Sequence, residues 1–359
     1  MLPFFVVNQT KNGDILDCVE INKQFAFDNP LLRNHTIQMK PNFKVSKQTT
    51  STARSFTILS PSQLLPKSIR CPRGTVVVRR IQEVELIAMD KFSPLLGTTT
   101  FSTTNKSSHS TTPDEELLPG YQIANLVAST NNVGVSAVIN VWTPDVITEE
   151  FSEVSAFVAT DDGAASNVIQ VGWLVHPMLY QNTTRLYAYW TKDSGKSTGC
   201  FNGFCPGFVQ VSQETPLGVA LTPVSTYSGR QYFMAITIQQ DKDTKNWWVL
   251  IGDKQIGYYP KELFSTMANG ATRGGWGGEI YSISTHASPP MGNGHFPEEG
   301  YSKSCLISRL NLVGQDFPNN TSLRVGSSIP DCYKAIYNGD VGGDFGHNMF
   351  VGGPANCWE

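Results

Sequence analysis

A chain of 359 residues with 40% hydrophobic content can bury a full core and has room for two units. Its formal net charge of −3 argues against nucleic acid as the main partner, and no apolar run is long enough to span a bilayer. The charge is unevenly spread: residues 1–95 hold 13 Lys/Arg against 7 Asp/Glu, and the remainder 14 against 23. A basic front end and an acidic body attract each other, as an inhibitory segment and its enzyme do.

The opening Met1-Leu-Pro-Phe-Phe-Val-Val7 is apolar but too short for a secretory leader and lacks a basic start. The expectation is an exported chain whose leader is missing from this sequence. Residues 8–50 read as polar and loop-like. Cys71-Pro-Arg-Gly-Thr-Val-Val-Val-Arg-Arg80 then gives a turn, a β-branched run and a basic pair. The spacing of Ile81, Val84 and Ala88 predicts a short helix over 81–89. Gly97 to Pro113 is rich in Ser and Thr and cannot bury enough apolar surface to fold. This divides the chain into a front region, 1–95, a linker, 96–118, and a body, 119–359, with the linker open to proteolysis.

The body reads as strands separated by turns: 136–142, 167–175, 185–191, 231–238, 246–251 and 276–280. Only 261–267 has a helical pattern. Many short, aromatic-rich strands with Gly/Pro turns predict an all-β fold, an antiparallel β-sandwich, behind a small mixed front region. There is no internal repeat.

The seven cysteines point to an oxidising compartment. Cys200-Phe-Asn-Gly-Phe-Cys205 has a turn-forming centre suited to a local disulfide; Cys332 and Cys357 are placed to close the tail, and Cys18 and Cys71 the front end, leaving Cys305 as a buried thiol. Asn8, Asn34, Asn105, Asn182, Asn319 and Asn320 each head a glycosylation triplet, which together with the cysteines supports secretion. His176, His286 and His295 lack metal-site spacing, so neither metal nor cofactor is expected, and no Gly-x-Ser-x-Gly elbow marks a serine hydrolase.

Two strands carry the chemistry. In Asn167–Val175, alternation puts Ile169, Val171, Trp173 and Val175 on one face and Val168, Gln170, Gly172 and Leu174 on the other. In Trp276-Gly-Gly-Glu-Ile280, Glu279 shares its face with Gly277 and Tyr281. An amide and a carboxylate, each beside a glycine that admits another backbone, are expected to meet across one groove.

Long runs resemble the neprosin family of glutamic prolyl endopeptidases from plants. In the body they include Ile139-Asn-Val-Trp-Thr-Pro144, Gly172-Trp-Leu-Val-His-Pro177, Cys205-Pro-Gly-Phe-Val-Gln210, Gly257-Tyr-Tyr-Pro260, Trp276-Gly-Gly-Glu279 and Met291-Gly-Asn-Gly-His-Phe296. In the front region, Lys23-Gln-Phe-Ala-Phe-Asp28, Leu31-Leu-Arg-Asn-His-Thr-Ile-Gln38 and Cys71-Pro-Arg-Gly-Thr75 resemble that family's activation peptide. The resemblance implies a secreted zymogen whose sandwich has two six- or seven-stranded sheets. Its partners would be its own propeptide and a peptide or protein substrate, proline-rich in the family's manner. The family works with two glutamates. Glu279 matches the second, and Gln170 stands where the first belongs. A Gln/Glu pair is similar to the dyad of fungal glutamic peptidases: Glu279 would deprotonate the attacking water, while Gln170 orients it and stabilises the oxyanion. Trp173, Tyr189, Trp190, Trp276 and Tyr281 are candidates to line the cleft. The alternative is a pseudo-enzyme in which Gln170 has removed half the machinery and the sandwich serves as an extracellular binding module. If the enzyme is active and proline-directed, Pro113 is a site for releasing its own front end.

Overall fold

In the computed structural model, the described residues are 5–10, 12–45, 56–59, 70–92, 120–161, 166–283, 288–318 and 320–356. The front region begins with strands β1 (Phe5–Gln9) and β2 (Ile15–Glu20), continues through β3 (Phe56–Leu59) and β4 (Thr75–Arg79), and ends in helix α1 (Glu83–Phe92). Strands β1, β2 and β4 form a small antiparallel sheet, and a disulfide joins Cys18 to Cys71 across it. The expectation of a loop over 8–50 is therefore corrected: β2 lies there, followed by short 3-10 turns at Ile21–Lys23, Phe25–Asp28 and Pro30–Leu32. The segment reads as a loop because its elements are short, and part of its apolar surface is buried against the body rather than within the front region. Leu16, Leu32 and Val77 are fully buried and belong to the same core as the sandwich, each contributing roughly 1.5–3 kcal/mol by burial.

The body opens with β5 (Tyr121–Ala128), β6 (Gly134–Asn140), β7 (Phe151–Asp161), β8 (Ser166–Val175), β9 (Arg185–Thr191) and β10 (Cys200–Phe201). Strands β11 (Val209–Gln210), β12 (Gln231–Gln240), β13 (Trp247–Ile251), β14 (Lys254–Tyr259) and β15 (Arg273–Tyr281) follow. The chain closes with β16 (Cys305–Leu312), β17 (Leu323–Ser327), β18 (Lys334–Asp340) and β19 (His347–Gly352). Among the described residues these make two sheets. One has the order β10-β9-β8-β7-β15-β5-β17. The other, of nine strands, runs β11-β14-β13-β12-β6-β16-β19-β18, with β3 also paired to β12. This is the expected antiparallel sandwich, with the second sheet wider than expected: it has eight body strands, and the front region adds a ninth. Residues Gln231–Met234 pair with β3 in parallel; from Ile236 onward the same side of β12 is taken by β13.

The core lies between the sheets. Trp173, Trp247 and Trp276 are fully buried in it with Ile139, Val171 and Ile236. The indole N–H of Trp173 donates to the Asn140 carbonyl and that of Trp276 to the Ser136 carbonyl, so the sheets are also tied by polar contacts. The helix expected over 81–89 forms two residues later. The pattern over 261–267 gives only 3-10 turns at Lys261–Leu263 and Met267–Asn269. Pro260 fixes the start of that stretch, and Phe264 and Met267 are held by the core rather than by a helical ladder. Cys200 and Cys205 are joined, Cys305 is a buried free thiol and Cys332 is disulfide-bonded. Cys357, Asn105, Asn319, His286, Pro113 and the whole 96–118 linker lie outside the described residues.

Candidate active site

Residues alternate along the seven-stranded sheet, so one row from each strand faces away from the core. In that outer face, β8 presents Val168, Gln170, Gly172 and Leu174. Strand β7 presents Phe151, Glu153, Ser155 and Phe157, and β15 presents Gly275, Gly277, Glu279 and Tyr281. Gln170 and Glu279 thus share a face, as the alternation predicts, but they are not neighbours. Strand β7 runs between them; Gln170 is opposite Phe157, and Glu279 is opposite Glu153.

The intervening strand supplies a residue that the sequence reading missed. Glu153 is 2% exposed, and its Oε1 accepts a hydrogen bond of 2.5 Å from the Gln170 amide Nε2. The same Nε2 donates to Ser155 Oγ at 2.9 Å, and Ser155 Oγ donates to Glu153 Oε1 at 3.3 Å. Gln170, Ser155, Glu153 and Glu279 line one narrow groove with Asn125, Ile123, Phe157, Gly277 and Gly278. Glycines keep its floor low. A Cβ at Gly172 would lie 2.1 Å from the Val154 carbonyl oxygen, and one at Gly277 would lie 2.4 Å from that of Ala124.

Burial governs the electrostatics. Loss of solvent pushes the Glu279 carboxyl up to about 8, with the nearby Gln170 amide pulling weakly the other way. Glu153 is pushed well above the carboxylate range by burial and then by the charge of Glu279, against the nearby Tyr187 hydroxyl and a hydrogen bond from Ser155. Two carboxyls lining one groove do not ionise together readily, since the charge of one raises the other.

The aromatic candidates divide between the two faces. Tyr189, opposite Gln170, and Tyr281, two residues beyond Glu279, lie on the groove side, flanked by Tyr121, Phe151, Tyr187 and Phe201. Trp173, Trp190 and Trp276 do not line the cleft. Strand alternation turns them into the core on the other face of the sheet, where Trp190 packs on Tyr259 and Phe264. The front region reaches the same outer face: Ala88 and Met89 of α1 belong to the buried cluster of Tyr121, Phe151, Tyr187, Tyr189 and Tyr281. Among the described residues no three His, Cys, Asp or Glu side chains are grouped to hold a metal ion.

The fold and site describe a β-sandwich with a buried carboxyl-amide groove and its own front segment laid over one flank. The chain belongs to the neprosin family: residues 148–354 match neprosin and residues 7–124 match the neprosin activation peptide. This is the organisation of a peptidase made with its activation peptide attached. Among solved structures, the chain is similar to scytalido-glutamic peptidase bound to a transition state analog inhibitor. The identity is 10%, over 66% of this chain and 98% of that one, with a TM-score of 0.36. It is also similar to SCP-B, a member of the eqolisin family of peptidases, in complex with the tripeptide Ala-Ile-His; the identity is 10%, over 65% and 96% of the two chains, with a TM-score of 0.33.

Proposed function

We propose that this protein is a secreted glutamic-type endopeptidase, directed to proline-containing peptides and made as a zymogen. The observation that carries the reading is Glu279: a buried carboxyl, raised to about 8, in a groove that it shares with the Gln170 amide. A base of that strength suits removal of a proton from water at near-neutral pH. Glu279 takes the proton as the water attacks the scissile carbonyl, then returns it to the leaving nitrogen. Gln170 fixes the polar strip on the far side of the water. The aromatic flank of Tyr121, Tyr187, Tyr189 and Tyr281 gives a peptide an apolar wall, and proline rings pack well on such faces. Proline preference, like export, is carried over from the family likeness of the motifs.

The test is an assay of acid-treated protein on a proline-containing fluorogenic peptide, comparing wild type with Glu279→Gln and Gln170→Glu. The reading expects cleavage by wild type and a loss on the order of 100-fold or more in Glu279→Gln. Cleavage by Gln170→Glu alone would mean that the natural chain is a catalytically disabled binding module.

A further inference from the structure

Glu153 has no part in the two-residue scheme, yet it is the residue that both members of that scheme meet. It stands directly across from Glu279 in the β7–β15 pairing and accepts the amide hydrogen bond of Gln170. Both hydrogens of the Gln170 Nε2 are engaged, one by Glu153 Oε1 and one by Ser155 Oγ. An amide so engaged holds a carboxyl in place and leaves the developing oxyanion to another donor. A buried carboxyl beside the groove, opposite a second carboxyl, is such a donor when it carries a proton.

We propose that Glu153 is the second catalytic carboxyl of this site, the acid partner of Glu279, and that Gln170 is its positioning residue. The proposal rests on the peptidase reading above. In the starting state Glu279 is ionised and Glu153 is protonated. Glu279 takes a proton from water, whose oxygen bonds to the scissile carbon, while Glu153 passes its proton to the carbonyl oxygen, giving a neutral gem-diol. The carbon–nitrogen bond then breaks. Glu279 gives its proton to the departing nitrogen, and Glu153 recovers a proton from a gem-diol hydroxyl as the carboxylic acid forms. One water is consumed, and both carboxyls return to their starting states.

The assignment of the proton is physical. Like charges directly opposite in an antiparallel pair repel, so the two carboxyls cannot both ionise readily. The other titratable groups in electrostatic contact with Glu153 are Tyr187 on β9, Tyr189 on the same strand and Tyr121 on β5, with Gln170 and Ser155 the neutral polar neighbours. None is a cation that would hold Glu153 ionised. Two carboxyls are therefore present in this groove although Gln170 occupies one of the expected positions: the acid is supplied from the neighbouring strand.

Two measurements test this on the full-length chain, after acid treatment for the kinetic one. In the first, Glu153→Gln and Glu153→Asp are compared with wild type and Glu279→Gln on the same proline-containing fluorogenic peptide across pH. Glu153→Gln should lower kcat by about 100-fold or more and remove the alkaline limb of the pH profile, and Glu153→Asp should restore that limb. Thermal melting of each variant checks that it is folded. Activity of Glu153→Gln within threefold of wild type, with an unchanged profile, overturns the proposal. In the second, difference infrared spectroscopy above pH 8, where Glu279 is ionised, reads the protonated-carboxyl band of Glu153. The band should vanish in Glu153→Gln and titrate differently in Glu279→Gln; a band indifferent to Glu153 overturns the proposal. A wild type that cleaves nothing sinks the peptidase reading, and the infrared band still decides whether the proton sits on Glu153.

Discussion

At the scale of single residues, the site stores an electrostatic cost. Glu279 moves from an ordinary 4.5 in the unfolded chain to about 8 in the fold. The folded state therefore holds a proton that the unfolded state has released, and stability falls as pH rises from about 4.5 to 8. Glu279→Gln removes that cost while keeping the shape. The variant should melt a few degrees higher than wild type at pH 8 and at nearly the same temperature at pH 4, a difference that scanning calorimetry resolves. An equal rise at both pH values would mean that the carboxyl is not raised. Glycine works against side chains of any size here: Gly172 and Gly277 exist because backbone oxygens of adjacent strands occupy the space where their Cβ atoms would sit.

At the scale of elements, the strands that bear Gln170 and Glu279 were legible because each is a short β-branched or aromatic run in which a single polar side chain stands near a glycine. Their shared face followed from counting alternate positions along each strand. Glu153 was not legible, because its run Phe151-Ser-Glu-Val-Ser-Ala-Phe-Val158 mixes Ser, Glu and small residues with no glycine or aromatic beside the acid to single it out. Its neighbours are set by pairing with β15, more than a hundred residues onward, and no local pattern encodes that register. The usable signal was the odd positions 151 to 157, which bracket Glu153 and Ser155 with two phenylalanines. The same limit explains the tryptophans. Sequence gives their size and their side of the strand, and only the second sheet decides that this side is the core. Helix α1 was legible from its spacing, but not its seat. Met89 is buried in the aromatic flank while Val84, Leu86 and Ile87 of the same helix are exposed. Met89→Asp, which sets a charge against that flank, should loosen the helix and make residues 83–92 more than tenfold faster to cut by an added protease, with the body left intact. Unchanged cleavage would show that α1 is held elsewhere.

At the scale of the whole molecule, the charge imbalance between front and body is only partly expressed in contacts. Arg70 of the front lies 3.8 Å from Glu214 of the body, in the expected sense. The most buried link has the reverse sign: Asp14 of the front binds Arg185 of β9 at 2.5 Å and Arg79 at 2.8 Å, with both guanidinium groups lying over the Tyr180 ring. Asp14→Ala leaves Arg185 buried with the oxygens of Thr183 and Gly218 as its remaining hydrogen-bond partners among the described residues. The loss should be about 3–5 kcal/mol, seen as a lower urea midpoint; a change under about 1 kcal/mol, the range of an exposed pair, would contradict the buried geometry. Acid acts on the same seam. Burial pushes the Asp241 carboxyl up, but hydrogen bonds from the Asn42 and Thr244 backbones and the Gln38 amide outweigh it and hold the group below its usual value. Its contribution is complete above the ordinary aspartate range and is lost as pH falls through the lowered value, so strong acid weakens the grip of the front region on the body.

Strand β3 gives that release a second meaning. While it is seated, its four residues complete the hydrogen bonding of Gln231–Met234. Once it leaves, the widest sheet of the mature body is left with a bare notch, flanked on one side by β6 and ending where β13 begins. Backbone amides and carbonyls left open in this way accept any extended chain that arrives. Maturation would then leave an open stretch of strand edge, four residues long, on the sheet opposite the catalytic groove.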